Sequence, residues 1–392
     1  MAYEAFFGEA VDRIGGEPIS ARMARKAPIR HLDPSLLLVT LLLSAYGALM
    51  VQSTTSSSQS IGLTDPNLFL KRQLAYLVAG VFVLLAVSFF DYRHLGGLAP
   101  ILYGATLVAL VLVLSPLGET QQGATRWINL GAFQAQPSEL AKIAVIITLG
   151  AFLAQRKAEL RARDIAVCLA LVAAPAFLIY LQPDLGTMMV FVSLLGALLL
   201  VGGARMRHFV ALGAMGLVAI IVVLQAGMLK EYQVQRLTSF LDPNPDVQSV
   251  GYNLTQSKIA IGSGGMRGKG LGGRNTQTSL DFVPEQHTDF IFTAVGEQLG
   301  FVGSATLLGL FAFLIWRGLR IAAMSRDLFG ALLASGIVAL WAFQIFVNVG
   351  MTMGIMPITG IPLPFISFGG SSLITNYVGV GLLLNIHMRR FL

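Results

Sequence analysis

The chain has 392 residues, 55% of them hydrophobic and 12% charged, with a formal net charge of +7. Soluble globular proteins carry roughly 25% charged residues, so a water-soluble fold is excluded, and the mean hydropathy of +0.72 points to a lipid environment. The positive balance fits Lys- and Arg-rich cytoplasmic loops, not a nucleic-acid partner.

Residues 1–33 hold Arg13, Arg22, Arg25, Lys26 and Arg30 but no apolar core, so they read as a basic cytoplasmic tail and not a cleavable leader. Beyond the tail, residues 34–392 form one membrane domain. The expected fold class is an all-α integral membrane protein with ten transmembrane helices and both termini cytoplasmic. The predicted spans lie near 35–52, 72–90, 97–115, 138–155, 165–181, 187–203, 209–229, 289–316, 328–350 and 366–387. With the tail inside, parity places Arg93, the 155–163 and 204–208 clusters, Arg317, Arg320, Arg326 and the 387–390 end inside as well. Outer segments carry few cations, with Lys71, Arg72 and Arg126 the exceptions, which supports both the count and the orientation. The single cysteine, Cys168, lies within a span, so disulfides play no part.

The connection between the seventh and eighth spans, residues 230–288, is the long one and is placed on the extracytoplasmic face. Loops of such length are usually functional. It contains Pro243, Pro245, a short apolar piece at 252–262 suited to the interface, and the stretch IGSGGMRGKGLGG at 261–273. That stretch fails the nucleotide-binding pattern, because Ser263 stands where a glycine is required and Gly270 replaces the terminal Ser or Thr. Its amides, with Arg267 and Lys269, could still hold a pyrophosphate. No internal repeat is evident, which weakens a transporter reading.

Polar groups converge on the same face. In QPSELAK (136–142), Pro137 suits a first helical turn and Glu139 is favoured there by the helix dipole. Lys142 shares a face with Glu139 about one turn into the membrane, either as an ion pair locking two helices or as a cation held for an anionic substrate. In PEQHTDFIF (284–292), Thr288 or Asp289 could cap the eighth helix, but a cap alone does not explain Glu285, His287 and Asp289 together. Glu285 and His287 either orient Asp289 or face water; Glu297, two turns below, is expected to bond to a neighbouring helix. QPDLGT (182–187) adds Gln182 and Asp184, and GATRWINLG (123–131) adds Arg126 beside Trp127. GIPLPFISFGGSSL (360–373) places prolines and glycines around Ser367, Ser371 and Ser372, a composition tolerated at membrane depth where irregular backbone lines a cavity.

Taken in order, GATRWINLG, QPSELAK, QPDLGT, FLDPNPD, GYNLTQSKIAIGSGG, VPEQHTDFIF and PLPFISFGGSSL resemble the SEDS family (shape, elongation, division and sporulation) of bacterial peptidoglycan glycosyltransferases over about 35–390. SKIAIGSGGMRGKG and GIMPITGIPLPF are similar to its elongation branch, RodA, more than to its division branch, FtsW. The resemblance implies a ten-helix fold in the bacterial inner membrane and polymerisation of lipid II into glycan strands during cell elongation. It implies a complex with a class B penicillin-binding protein (penicillin-binding protein 2 type) and other elongation-complex membrane proteins. It also implies that Asp289 is the catalytic acidic residue and that Glu139 and Lys142 are needed.

The expected mechanism is an inverting displacement at the extracytoplasmic face. Asp289 takes the proton of the acceptor hydroxyl as general base, and Lys142, with Arg126 or the loop cations, stabilises the pyrophosphate leaving group. Arg126, Glu139, Lys142, Gln182, Asp184, Lys269, His287, Ser367 and Ser371 are the expected substrate-binding residues. No cofactor is required by the sequence; a divalent cation, Mg²⁺ or Mn²⁺, could share the charge, although no compact ligand cluster is visible. The alternatives are a flippase or transporter of lipid-linked oligosaccharide, and a non-catalytic scaffold for the penicillin-binding protein.

Overall fold

The computed structural model describes residues 31–56, 67–121, 124–129, 131, 133–156, 160–225, 227, 250–273, 276–280, 282 and 285–390. Most of the basic tail, Pro243, Pro245 and the FLDPNPD motif lie outside the described residues.

Long apolar runs fold as helices because every backbone polar group must be satisfied internally in lipid. They are α1 (Pro34–Ser56), α2 (Leu68–Phe89), α3 (Tyr92–Val113), α4 (Pro137–Ala154), α5 (Ala162–Leu181), α6 (Leu185–Val201) and α7 (Met206–Gln225). After α7 come α8 (Val250–Ser263), α9 (Ile291–Ala323), α10 (Leu328–Met353) and α11 (Gly370–Arg389). Eight of them are long and apolar enough to cross a membrane; α6 is apolar but shorter, and α11 occupies the place of the last expected span. The apolar piece of the long loop is the helix α8. Between α3 and α4 lies an unforeseen antiparallel sheet of β1 (Gly118–Gln121), β2 (Ala124–Asn129) and β3 (Gln134–Ala135), in that order.

Burial separates the helices. In α4 78% of the apolar stretch is buried inside the protein and in α10 67%, against 22% in α2 and 17% in α3. The first two form the middle, and the last two present side chains such as Phe82 and Ile101 outward, as lipid-facing helices do. Trp341 of α10 and Tyr377 of α11 anchor the larger core; a side chain at Gly80 would meet the Tyr377 ring, so α2 packs closely on α11.

The eighth expected span is longer than its apolar run suggested and is broken. Gly300 has φ 63 and ψ −157 inside α9, a backbone state that favours glycine. The glycine-dense stretch docks into this break. Lys269 N donates to Glu297 O and Gly270 N to Gln298 O, while Phe301 N and Val302 N donate to Gly265 O and Met266 O. A side chain at Gly268 would collide with Gln298 O. The expected pyrophosphate cradle is therefore corrected: the amides of Lys269 and Gly270 bond to helix carbonyls exposed by the break.

At one end of the bundle, ion pairs fasten the chain: Arg317 with Asp33, Arg389 with Asp91 at 3.0 Å, and Arg93 with Asp327 at 3.6 Å. The other end carries the polar motifs.

Candidate active site at the motif-bearing end

Asp289 sits in a turn, residues 285–290, that precedes α9. The helix begins at Ile291 with Phe290 at its N-cap and no side-chain cap, so neither Thr288 nor Asp289 caps it. Tertiary bonds hold the turn instead. Asn348 of α10, fully buried, donates to Asp289 O at 2.9 Å and to Ile361 O at 2.7 Å. Ser367 Oγ donates to Thr288 O at 2.6 Å and accepts from Leu363 N at 2.8 Å. Phe368 N donates to His287 O at 2.9 Å. The segment 359–368 thus grips the turn, and the two carry non-glycine residues with positive φ: Glu285 at 52 and Phe365 at 64. Such backbone strain clusters at functional sites.

Asp289 is partly exposed. Its carboxylate faces Gly360 (φ 73): a Cβ added there would lie 3.1 Å from Asp289 Oδ2, so glycine both permits the backbone and leaves space at the carboxylate. Thr288 Oγ donates to Glu285 Oε2 at 3.0 Å. Burial pushes the His287 imidazole below its usual range, against the opposing pull of Glu285; a neutral ring results, which cannot serve as a cation for phosphate near pH 7.

The other expected residues divide into three groups. Glu139 and Lys142 form an ion pair at 2.7 Å within α4, both about 2–3% exposed; it joins successive turns of one helix and does not bridge two. Arg126 of β2 lies 3.7 Å from Asp184 Oδ2 and donates to the carbonyls of Gln182 and Pro183. Asp184 caps α6 through Thr187, and Gln182 donates to Leu110 O. These three tie the sheet to the α5–α6 turn, so their polar atoms are taken up by one another and by backbone. Lys269 pairs with Glu297 at 2.8 Å. Glu297 in turn accepts from Gln277 N at 2.7 Å, Thr278 N at 2.9 Å and Thr278 Oγ, so it staples the loop and not a neighbouring helix.

Ser371 connects the parts. Its hydroxyl accepts from Gln136 N at 3.0 Å and donates to Gln134 O at 2.9 Å, joining α11 to the start of α4. Gly369 leaves α11 without a side-chain cap, so first-turn N–H groups point from its end. Beside it lies an apolar cavity of about 770 Å³ between α2, α3, α4 and α11, lined by Val87, Leu102, Leu140, Ile147 and Val378, with Ser371 among its polar residues. Among the described residues no group of three or more His, Cys, Asp or Glu side chains stands close enough to hold a metal ion.

Sequence reasoning passed over Asn348. An asparagine in the middle of FQIFVNVG is the kind of intramembrane polar group that signals a role, and it was readable.

The family model for cell-cycle proteins of the FtsW, RodA and SpoVE type matches residues 34–391. Peptidoglycan glycosyltransferase MrdB of Escherichia coli (strain K12) is 39% identical over 361 residues, covering 92% of this chain and 94% of that protein. Stage V sporulation protein E of Bacillus subtilis is 39% identical over 91% of this chain and 98% of its own length. Among solved structures, one described as the structural coordination of polymerization and crosslinking by a peptidoglycan synthase complex superposes with a TM-score of 0.77 at 33% identity, covering 92% of this chain and 98% of that chain. The crystal structure of Thermus thermophilus rod shape determining protein RodA gives 0.68 at 31% identity, covering 92% of this chain and 98% of that chain. By the match over residues 34–391 and by these relatives, this chain belongs to the FtsW/RodA/SpoVE family, the SEDS proteins.

Proposed function

We propose that this protein is a peptidoglycan glycosyltransferase of the RodA type that polymerises lipid II at the extracytoplasmic face of the bacterial inner membrane. The reading takes α1–α7 and α9–α11 as ten crossings, with both termini cytoplasmic. The observation that carries it is the partly exposed Asp289 carboxylate on a turn clamped by Asn348 and Ser367, with Gly360 leaving space in front of it. A general base works when its position is fixed and its oxygens reach the hydroxyl to be deprotonated.

In this reading Asp289 takes the proton from the acceptor sugar hydroxyl as that oxygen bonds to the donor's anomeric carbon. The bond from that carbon to the pyrophosphate oxygen breaks on the opposite side, inverting the centre. General-base help of this kind is worth about 10²–10⁴-fold. The apolar cavity supports a prenyl-linked substrate, since it is greasy along its length and polar where Ser371 and the open end of α11 meet it. Charge on the leaving group is met there by the helix N–H groups. Glu139, Lys142, Arg126, Gln182 and Asp184 act beneath this layer by holding the ends of α4, α6 and the sheet in place. The described residues hold no cluster of three or more His, Cys, Asp or Glu for a metal; a divalent ion in this reading would be carried chiefly by the substrate phosphates.

The partner is a class B penicillin-binding protein, supported by the likeness to a chain from a peptidoglycan synthase complex. The test is to supply purified full-length protein in lipid nanodiscs with labelled lipid II, with and without that partner, and to resolve glycan chains on gels. Glycan formation supports the reading. Translocation of labelled lipid II across vesicles with no polymer formed would replace it with a flippase.

A further inference from the structure

Between the Asp289 turn and the apolar cavity runs an unbroken row of aromatic rings. His287 lies 5.0 Å from Phe69 of α2, and Phe69 lies 5.0 Å from Phe368 in an edge-on pair. Phe368 lies 6.2 Å from Tyr76, and Tyr76 lies 5.8 Å from Phe133, which lines the cavity. All five rings are partly exposed. The row is assembled from four separate segments: α2, residue 133 before β3, the 285–290 turn and the loop before α11. Backbone detail keeps the row continuous: a side chain at Gly370 would stand 2.9 Å from the Tyr76 ring and 3.0 Å from the Phe133 ring, so glycine lets these two rings close over the first turn of α11.

Aromatic rings ordered for core packing are normally sealed, and buried tyrosine finds a partner for its hydroxyl. Here five partly exposed rings, three of them (Phe69, Tyr76 and Phe368) also packed on the core, join an apolar cavity to the turn that bears a carboxylate. A sugar ring presents C–H bonds on its faces and hydroxyls on its rim, so it packs against an aromatic face while its hydroxyls stay free for hydrogen bonds. At the far end of the row stands the open helix terminus with Ser371. The order of chemistry along the surface is therefore apolar cavity, helix N–H groups, aromatic rings, carboxylate. This is the order of parts in a prenyl chain, a pyrophosphate, saccharide rings and a reacting hydroxyl.

We propose that Phe69, Tyr76, Phe133 and Phe368 form a carbohydrate-stacking track that carries the saccharide of the prenyl-linked substrate from the cavity mouth to Asp289. The proposal rests on the reading of Asp289 as the reacting base. It adds that recognition of the sugar comes from ring faces and is separable from recognition of the lipid. Removing one ring face costs about fivefold to tenfold in binding of the saccharide.

The test measures binding of two probes to full-length protein in nanodiscs, lipid II and the sugar-free undecaprenyl pyrophosphate, in an Asp289→Asn background that holds substrate without turnover. Phe69→Leu and Phe368→Leu are expected to weaken lipid II binding about fivefold to tenfold while undecaprenyl pyrophosphate binds as before, and Phe368→Tyr is expected to restore lipid II binding. Equal loss of both probes, or no loss of either, overturns the track. The unchanged sugar-free probe reports that the variants are folded. Glycan formation by the Asp289→Asn protein itself would refute the base assignment, while the ratio of the two initial affinities would still report on the rings.

Discussion

Glu297 is fully buried and accepts four bonds, from Lys269 Nζ, Gln277 N, Thr278 N and Thr278 Oγ. Thr278 O then accepts from Gln286 at 2.7 Å, which links the staple to the turn that carries Asp289. Replacing Glu297 with Gln keeps the volume but leaves one carbonyl where two carboxylate oxygens served four donors. If that carbonyl serves Thr278, the new amide faces Lys269 and Gln277. Lys269, 31% exposed, reaches water at little cost, but the Gln277 amide is stranded, a loss of about 1–3 kcal/mol. The surviving bonds fall from charge-assisted to neutral strength, roughly half. The net effect is on the order of 3 kcal/mol against the docked loop, or roughly a hundredfold in its opening equilibrium. Amide hydrogen exchange reads this directly: Lys269, Gly270, Gln277 and Thr278 should exchange roughly a hundredfold faster in Glu297→Gln. Unchanged protection at these four amides would refute the staple.

Further tests follow from the same geometry. Gly268→Ala places a Cβ against Gln298 O at φ 77, so the loop should undock from the α9 break, lowering the melting temperature by several degrees and exposing 264–270 to protease; an unaltered digestion pattern would contradict the docking. Lys142→Met leaves Glu139 buried without its partner, a cost of about 3–5 kcal/mol, whereas the double change of Glu139→Gln with Lys142→Met should recover most of the lost thermal stability. For His287, burial lowers the folded pKa below its unfolded value near 6.5. The unfolded chain then binds more protons, so the contribution to stability is present above pH 6.5 and lost as pH falls through the lower folded value. Thermal denaturation between pH 7 and 5 should fall more steeply for the wild type than for His287→Phe, and parallel curves would contradict the assignment.

The helices were legible because an apolar run of membrane length has few alternatives to a helix, and the expected runs anticipated α1 to α7 and α9 to α11 within a few residues at most ends, eight of them long and apolar enough to cross a membrane. Ends and interruptions were less so. The Thr288–Asp289 pair satisfies the local rule for a cap, but Asn348 and Ser367, remote in sequence, hold both residues outside the helix. The break at Gly300 is invisible in an apolar run, where isolated glycines are common, and only the docked loop supplies its missing hydrogen bonds. The same fact undid the pyrophosphate reading of Lys269 and its neighbouring amides, since their acceptors are helix carbonyls that a regular helix would conceal. Strands as short as β1 to β3 give too few alternations to register. Arg126, Gln182 and Asp184 were singled out together and do meet, but as a fastening between the sheet and the start of α6.

The most direct test of the central claim is polymerisation of lipid II by purified Asp289→Asn protein whose melting temperature matches the wild type. The account predicts that the variant binds lipid II and forms no glycan, whereas glycan made at the wild-type rate would contradict a base at this position.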